Sequence, residues 1–207
     1  MKFPIYKNDG RSLIDLTQLQ HKVVKVLKRK IDSGDYQRVK NGCFCHCVEN
    51  DKGMVVAEKD MHGLPLESVL CRNTGLICSD RIFDEKSNRE FYIHEYRELA
   101  SFGISISDYF DSQVERGKNF YRLFNEQAKN KLDRTIVDIG CGAGGVLYSF
   151  SENKNQCIGF DYNTDYLEYG KAKGLDLRWG DYKGQIQHNS ADLVILSHVM
   201  EHFLNPV

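Results

Sequence analysis

Three stretches before residue 134 differ in how apolar and polar residues alternate. In residues 1–40, leucines and valines from Leu13 to Leu27 recur at helical spacing among lysines, which predicts an amphipathic helix. Residues 41–86 contain short strand-like runs with cysteines near the turns. In residues 87–133, aromatic side chains recur at helical spacing, which is typical of packing surfaces. We therefore expect an N-terminal helical segment, a small module of short strands, and a helical linker or cap.

A regular alternation of strands and helices begins at residue 134. The predicted strands are "TIVDI", "QCIGFD", "LDLRWGD" and "ADLVILS", and the predicted helices between them are "GVLYSFSEN" and "TDYLEYGKAKG". This alternation predicts an α/β fold in which helical crossovers connect the strands of a parallel sheet. We expect one such domain over residues 134–207.

The composition indicates which partners the protein binds and in which compartment it occurs. A formal net charge of −1 gives no electrostatic reason to expect nucleic acid or an anionic membrane as the main partner. No apolar run approaches the ~20 residues of a membrane span, and the N-terminus lacks the pattern of an export signal. The seven cysteines are an odd number, so we expect reduced thiols in the cytoplasm, with metal binding favoured over disulfides.

The segment "TIVDIGCGAGG" places three alternating glycines after the first predicted strand. Gly140, Gly142 and Gly144 let the backbone turn sharply and approach a ligand without Cβ clashes. Gly145 also completes the spacing G-x-G-x-x-G, so a dinucleotide such as NAD is one alternative. A glycine pattern alone does not decide between these ligands.

Three carboxylates near the predicted strand ends favour a ligand with a positive group. Asp138 lies two residues before the first glycine, where it would repel a pyrophosphate but could accept from an ammonium. Asp161 ends the second strand, at a distance along the chain that suits an acid bound to two ribose hydroxyls. Asp181 follows the third strand, where it could accept from an adenine amino group. Together they predict an adenosine that carries a cation.

Residues 134–205 resemble the class I S-adenosylmethionine (SAM)-dependent methyltransferases. The motifs "VDIGCGAGG", "IGFDYN", "RWGDY" and "ADLVILSHVMEH" occur in that family's order and at its intervals. The resemblance implies a Rossmann-like fold in which Asp138 and the three alternating glycines hold the methionine part of SAM. It likewise assigns the ribose to Asp161 and the adenine to Asp181.

The upstream half resembles methyltransferases that modify sugars and surface polysaccharides and carry a zinc ribbon. The resemblance rests on "AEKDMHGLPLESVLCRNTGLI", "FYIHEYRELASFG" and "YFDSQVERGKNFY". It implies a small-molecule acceptor, either a sugar or a nucleotide-sugar. This chain departs from the ribbon's second C-x-x-C knuckle, because Cys71 is present but Thr74 stands in place of the second cysteine.

The predicted zinc ligands come from the two cysteine-containing stretches of this module. Cys43, His46 and Cys71 are the first candidates, and Cys78 is a possible fourth ligand. A closed structural zinc site normally has four nitrogen or sulfur ligands. Other candidates from the first stretch are Cys45 and Cys47. A metal-free remnant of the ribbon is the alternative.

The segment "HVMEH" admits two interpretations. It spells H-x-x-E-H, a zinc-protease signature that needs His198 and His202 on one face of a helix and Glu201 as a base. In the methyltransferase interpretation the segment follows the fourth strand, where ligands of open α/β sheets bind. There we expect His198 to be the first candidate for a general base, with Glu201 as a second candidate catalytic residue.

The resemblance also predicts that the sheet is incomplete. The family has seven strands, but we predict four, so we expect an apparently truncated domain or a fragment. The fourth strand is apolar on both faces and would form an edge, which predicts self-association. A non-catalytic module that binds SAM and zinc is a further alternative to an enzyme.

Overall fold

The computed structural model describes residues 4–41, 53–100, 103–128 and 133–203. These residues form two compact units, Met1–Phe102 and Gly103–Val207. The segment predicted as one linker, 87–133, contributes helices to both units. None of the helices in the described part of the chain is long and apolar enough to cross a membrane.

The N-terminal unit begins with a 3₁₀ turn and a long amphipathic helix. The turn is Pro4–Tyr6 and helix α1 is Gln18–Ser33. Thr17 and Gln20 form a reciprocal capping box at the helix start, and Gly34 ends the helix with a left-handed φ of 79°. The buried face of α1 packs into a small core. Its members are Val23, Val24, Leu27, Tyr36, Leu64 and Leu99.

Short antiparallel strands and two further helices complete this unit. The strands are β1 (Arg38–Lys40), β2 (Met54–Lys59), β3 (Pro65–Leu70), β4 (Ile77–Ser79) and β5 (Arg81–Phe83). The helices are α2 (Glu85–His94) and α3 (Tyr96–Ala100). One sheet has the order β2-β3-β4 and the other pairs β1 with β5. The structure therefore contains the short strands expected for residues 41–86, without showing that they form a zinc ribbon.

The C-terminal unit contains the predicted parallel sheet. Its strands are β6 (Thr135–Ile139), β7 (Gln156–Asp161), β8 (Asp176–Trp179) and β9 (Leu193–Ile195). Its helices are α4 (Ile106–Gln127), α5 (Gly145–Ser151) and α6 (Thr164–Ala172). All strand pairs are parallel, and the order is β8-β7-β6-β9. The prediction of a mixed α/β fold with four parallel strands is confirmed.

Two glycines let helix α4 lie directly against α5. A Cβ at Gly117 would come within 2.6 Å of the Val146 carbonyl oxygen, and a Cβ at Gly145 within 2.4 Å of the Phe110 carbonyl oxygen. A side chain at either position would therefore push the two helices apart. This packing fixes the register of α4 over the domain core, which includes the fully buried Leu147 and Phe150.

Candidate active site

The carboxyl ends of four parallel strands meet at one edge of the sheet. Asp138 pairs with Gly159 on β7 and with Ile195 on β9, while Asp161 pairs with Trp179 on β8. Ligands of open α/β sheets bind outside this edge. The glycine loop, Asp161, Asp181 and His198 all follow these strand ends, so the topology brings the predicted cofactor and base residues to the same edge.

The glycine loop has a backbone that ordinary residues adopt only with strain. Gly140, Gly142 and Gly144 have φ angles of 73°, 56° and 78°. A Cβ at Gly140 would also come within 2.5 Å of Val199 Cγ2, and a Cβ at Gly144 within 2.7 Å of Leu175 Cδ1. Both the backbone conformation of this loop and its close neighbours therefore favour glycine over residues with a side chain.

The carboxylate of Asp161 holds this loop against the end of β7. Its Oδ2 accepts a hydrogen bond from the Gly142 N–H at 2.8 Å, and its Oδ1 accepts from the Asn163 N–H at 2.9 Å. An ionised carboxyl has about four lone-pair sites, so these two bonds leave capacity for ligand hydroxyls. Asp161 is therefore both a structural anchor and the residue we expect to bind the ribose.

Asp138 differs from Asp161 because it is buried and lacks a donor. It is 3% exposed, and within the described part of the chain no hydrogen bond to its carboxyl is found. Burial first, and then the negative charge of Asp161, raises the pKa of Asp138 to about 8. A buried carboxyl in these surroundings suits a cationic ligand and disfavours a second anion.

An aromatic pair borders the site at the ends of β7 and β8. The Trp179 Nε1–H donates to the Tyr162 carbonyl oxygen at 3.0 Å, and the two rings meet edge to face with centroids 5.9 Å apart. Asp181 is exposed in the loop just beyond, where it accepts from the Lys183 N–H at 3.1 Å. Sequence analysis missed the aromatic pair, although Tyr162 directly follows Asp161 and Trp179 lies two residues before Asp181.

The chain after β9 does not form the helix that the H-x-x-E-H interpretation requires. His198 is exposed and has a φ of 56°, and Met200–His202 form a single 3₁₀ turn. His198 and His202 therefore do not share one helical face, and the expectation of a helix here is wrong. Glu201 lies within that turn.

A contact from helix α4 reaches the same turn. The Arg116 Nη1 donates to the Ser197 Oγ at 3.3 Å, and the side chain of Val199 lies against Gly140. His198 is thus placed between a residue held by α4 and a residue packed on the glycine loop. Sequence analysis missed Arg116, because no local pattern links residues that lie 81 positions apart.

The predicted zinc ligands are placed only in part. Cys43, Cys45, His46 and Cys47 lie outside the described residues. Cys71 is buried just after β3, Cys78 lies on β4, and the Thr74 hydroxyl accepts from the Leu76 N–H at 3.3 Å in the turn between them. Over residues 4–41, 53–100, 103–128 and 133–203, no cluster of three or more potential metal ligands is found.

Comparison with known families gives one match. Residues 137–207 match the family described as "Methyltransferase domain". The matched segment contains all of the predicted cofactor residues. The match lies within the C-terminal unit. No curated protein matches the sequence.

Similar solved structures include three methyltransferases. The plantazolicin methyltransferase BpumL, in complex with S-adenosylhomocysteine (SAH), is 20% identical over 58% of this chain and 49% of its own, with a TM-score of 0.41. SAM-bound CalS10, an amino pentose methyltransferase from Micromonospora echinaspora, is 21% identical over 47% and 39%, with a TM-score of 0.30. Coclaurine N-methyltransferase is 13% identical over 44% and 28%, with a TM-score of 0.30. This chain thus spans about half the length of the first of these proteins, and likeness at this level carries no argument about the reaction.

Proposed function

We propose that this chain is a SAM-dependent methyltransferase. The observation that carries the proposal is the acidic edge of the parallel sheet, within the segment that matches the methyltransferase domain. There the buried Asp138 lies near the glycine loop, and Asp161 accepts a hydrogen bond from the Gly142 N–H of that loop. The carboxyl of Asp138 suits the ammonium of SAM, whereas it would repel the pyrophosphate of NAD.

SAM, when bound, supplies a methyl group on a sulfonium for an in-line displacement. The chain's part in such a reaction is chiefly to position the donor and the acceptor. We assign the methionine part of SAM to Asp138 and the glycine loop, the ribose to Asp161, and the adenine to Asp181. His198 is exposed beside this edge and is our candidate to take a proton from a hydroxyl acceptor. Glu201 remains a second candidate.

The acceptor that we propose is a sugar or nucleotide-sugar of surface-polysaccharide synthesis. Support for it comes from the upstream segments that resemble sugar-modifying methyltransferases. The cytoplasmic location also stays a prediction, based on the odd number of cysteines. Assays with nucleotide-sugars against peptide acceptors would test the acceptor class, and methylation of peptides alone would contradict it.

The cofactor assignment can be tested by calorimetry on Asp161→Ala. The variant should bind SAM and SAH more weakly, and by the same factor, because both ligands contain the ribose. A lost hydrogen bond to a charged acceptor is worth ~1.5–3 kcal/mol, which is roughly ten- to a hundred-fold in affinity. The exposed Asp176→Ala, on β8, is a matched control. Binding of NADH with no binding of SAM would refute the proposed function.

Zinc bound by Cys43, His46 and Cys71 is a separate part of the proposal. Burial of Cys71 beside the β3–β4 turn supports a structural rather than a reactive role for that thiol. Elemental analysis should find near one zinc per chain in protein made in zinc-replete, reducing conditions, and much less in Cys71→Ser. Absence of zinc from the unaltered protein would favour the metal-free remnant.

We also propose that β9 mediates self-association. Among the described residues β9 pairs with β6 alone, and Val194 on it is 48% exposed. An apolar edge with unpaired backbone groups tends to recruit another strand. Light scattering should show association that decreases in Val194→Lys, and a monomer at all concentrations would contradict it.

A further inference from the structure

The buried carboxyl of Asp138 shares one face of the sheet with a second acid. Asp138 pairs in register with Gly159. Paired residues share a face, as do residues two positions apart in a strand, so Cys157 and Asp161 lie on that face as well. Gly159 contributes no side chain between the two acids, and a Cβ there would come within 2.7 Å of Cys141 Sγ. The two acids therefore lie on the same face of neighbouring strands.

The hydrogen bonds around the two acids are unequal. Both oxygens of Asp161 accept hydrogen bonds from backbone N–H groups. Asp138 is 3% exposed and lacks such a bond within the described residues. Burial and the neighbouring charge raise the pKa of Asp138 to about 8. Burial and the neighbouring acid therefore both favour the protonated form of Asp138 in the ligand-free protein.

Other titratable groups around Asp138 do not change this conclusion. Burial, and then the charge of Asp138, raises the pKa of Cys157 to about 12, so this thiol keeps its proton. Strand β9 contains no titratable residue, and Tyr148 is the only one on α5. The charged or titratable residues near the turn after β9 are His198, Glu201 and His202, together with Arg116, which contacts Ser197. The exposed imidazole of His198 is the control.

We propose that Asp138 carries a proton in the ligand-free protein and releases it when the ammonium group of SAM or SAH binds beside it. The inference rests on the proposed function. The O–H bond of the carboxyl breaks, the proton passes to the buffer, and the carboxylate remains as the counter-ion of the ligand's ammonium. No electrons are transferred. A cation beside Asp138 favours its charged form and so offsets the effects of burial and of Asp161.

Proton release makes cofactor binding depend on pH. Below about pH 8, affinity for SAM and SAH should rise about tenfold per pH unit, because one proton leaves for each ligand bound. 5′-Methylthioadenosine has the adenosine but neither the ammonium nor the sulfonium. Its affinity should therefore change little with pH over the same range. This difference separates the response of Asp138 from a general effect of pH on the protein.

The test is titration calorimetry at pH 7.0 in buffers with different heats of ionisation. The slope of the binding enthalpy against the buffer enthalpy gives the number of protons released. We expect about one proton for SAM and for SAH, and none for 5′-methylthioadenosine. Asp138→Asn should lose the release, while His198→Gln should retain it. No release by a wild-type protein that binds SAM would overturn the inference, as would equal release with 5′-methylthioadenosine.

Infrared difference spectroscopy keeps the test independent of ligand binding. A protonated-carboxyl band should be present in the ligand-free wild-type protein at pH 7.0 and absent from Asp138→Asn. Absence of that band from the wild-type protein would overturn the inference. Failure of the wild-type protein to bind SAM or SAH would refute the proposed function instead, so the two failures are distinguishable.

Discussion

In the N-terminal unit the buried Lys59 and Glu95 each contact an oppositely charged side chain, whereas in the C-terminal unit the buried Asp138 faces another carboxylate. Lys59 Nζ lies 2.7 Å from Asp9 Oδ1, and Lys30 Nζ lies 2.5 Å from Glu95 Oε1. Loss of one partner of a buried ion pair is destabilising, because it leaves the other charge buried and uncompensated. A buried acid beside another acid costs stability, and it suits a position that a cationic ligand completes.

Glu95→Ala should give the largest effect, by breaking a paired group. Tyr36 Oη donates to Glu95 Oε2 at 2.6 Å, and Lys30 contacts the other oxygen. Removing the carboxylate leaves Lys30 without its counter-ion and Tyr36 without its hydrogen-bond acceptor. We therefore expect a loss of about 3 kcal/mol in the free energy of unfolding. Urea denaturation measures it. The exposed Glu98→Ala is the matched control, and equal losses in both variants would show that the pairing is not stabilising.

Asp138→Asn should increase the free energy of unfolding, and this increase should grow with pH. The pKa of Asp138 is raised, so between about pH 4 and pH 8 the native state holds a proton that the unfolded chain has lost. The wild-type protein should therefore lose about 1.4 kcal/mol of stability from this group between pH 6 and pH 7. In Asp138→Asn the residue at this position contributes no dependence of stability on pH. Denaturation of both proteins at the two pH values gives the difference, and parallel slopes would contradict the prediction.

Arg116→Ala should give the smallest effect, confined to the turn after β9. Loss of its hydrogen bond to Ser197 is worth about 1 kcal/mol, so hydrogen exchange in residues 197–203 should rise roughly fivefold. Arg122→Ala, an exposed residue on the same helix, is the control. Unchanged exchange in Arg116→Ala would mean that α4 does not hold this turn.

The central strands of the sheet could be predicted closely from the sequence. The runs "TIVDI" and "QCIGFD" coincide with β6 and β7, which have an apolar middle and are paired on both sides. The outer strands are shorter than predicted. Of the predicted strand "ADLVILS", only Leu193–Ile195 form β9, because among the described residues β9 pairs with a single neighbouring strand.

Contacts between distant residues explain what the sequence could not predict. "HVMEH" has a helical pattern, but His198 takes a left-handed conformation and Val199 packs on Gly140, 59 positions earlier in the chain. Sequence analysis predicted that Asp138 and Asp161 belong to one site, and the strand register places them on one face of the sheet. Their mutual charge effect depends on burial and on Gly159 between them, neither of which a spacing reveals.

The aromatic pair at the strand ends gives the protein an optical reporter. Trp179 is the sole tryptophan of the sequence, and it is 45% exposed beside the proposed adenine position. Indole emission shifts in colour and intensity when an aromatic base stacks nearby or water is displaced. Fluorescence of the unlabelled protein should therefore follow ligand arrival at this edge directly. Because the N-terminal unit has no tryptophan, the emission comes entirely from the unit that contains the site.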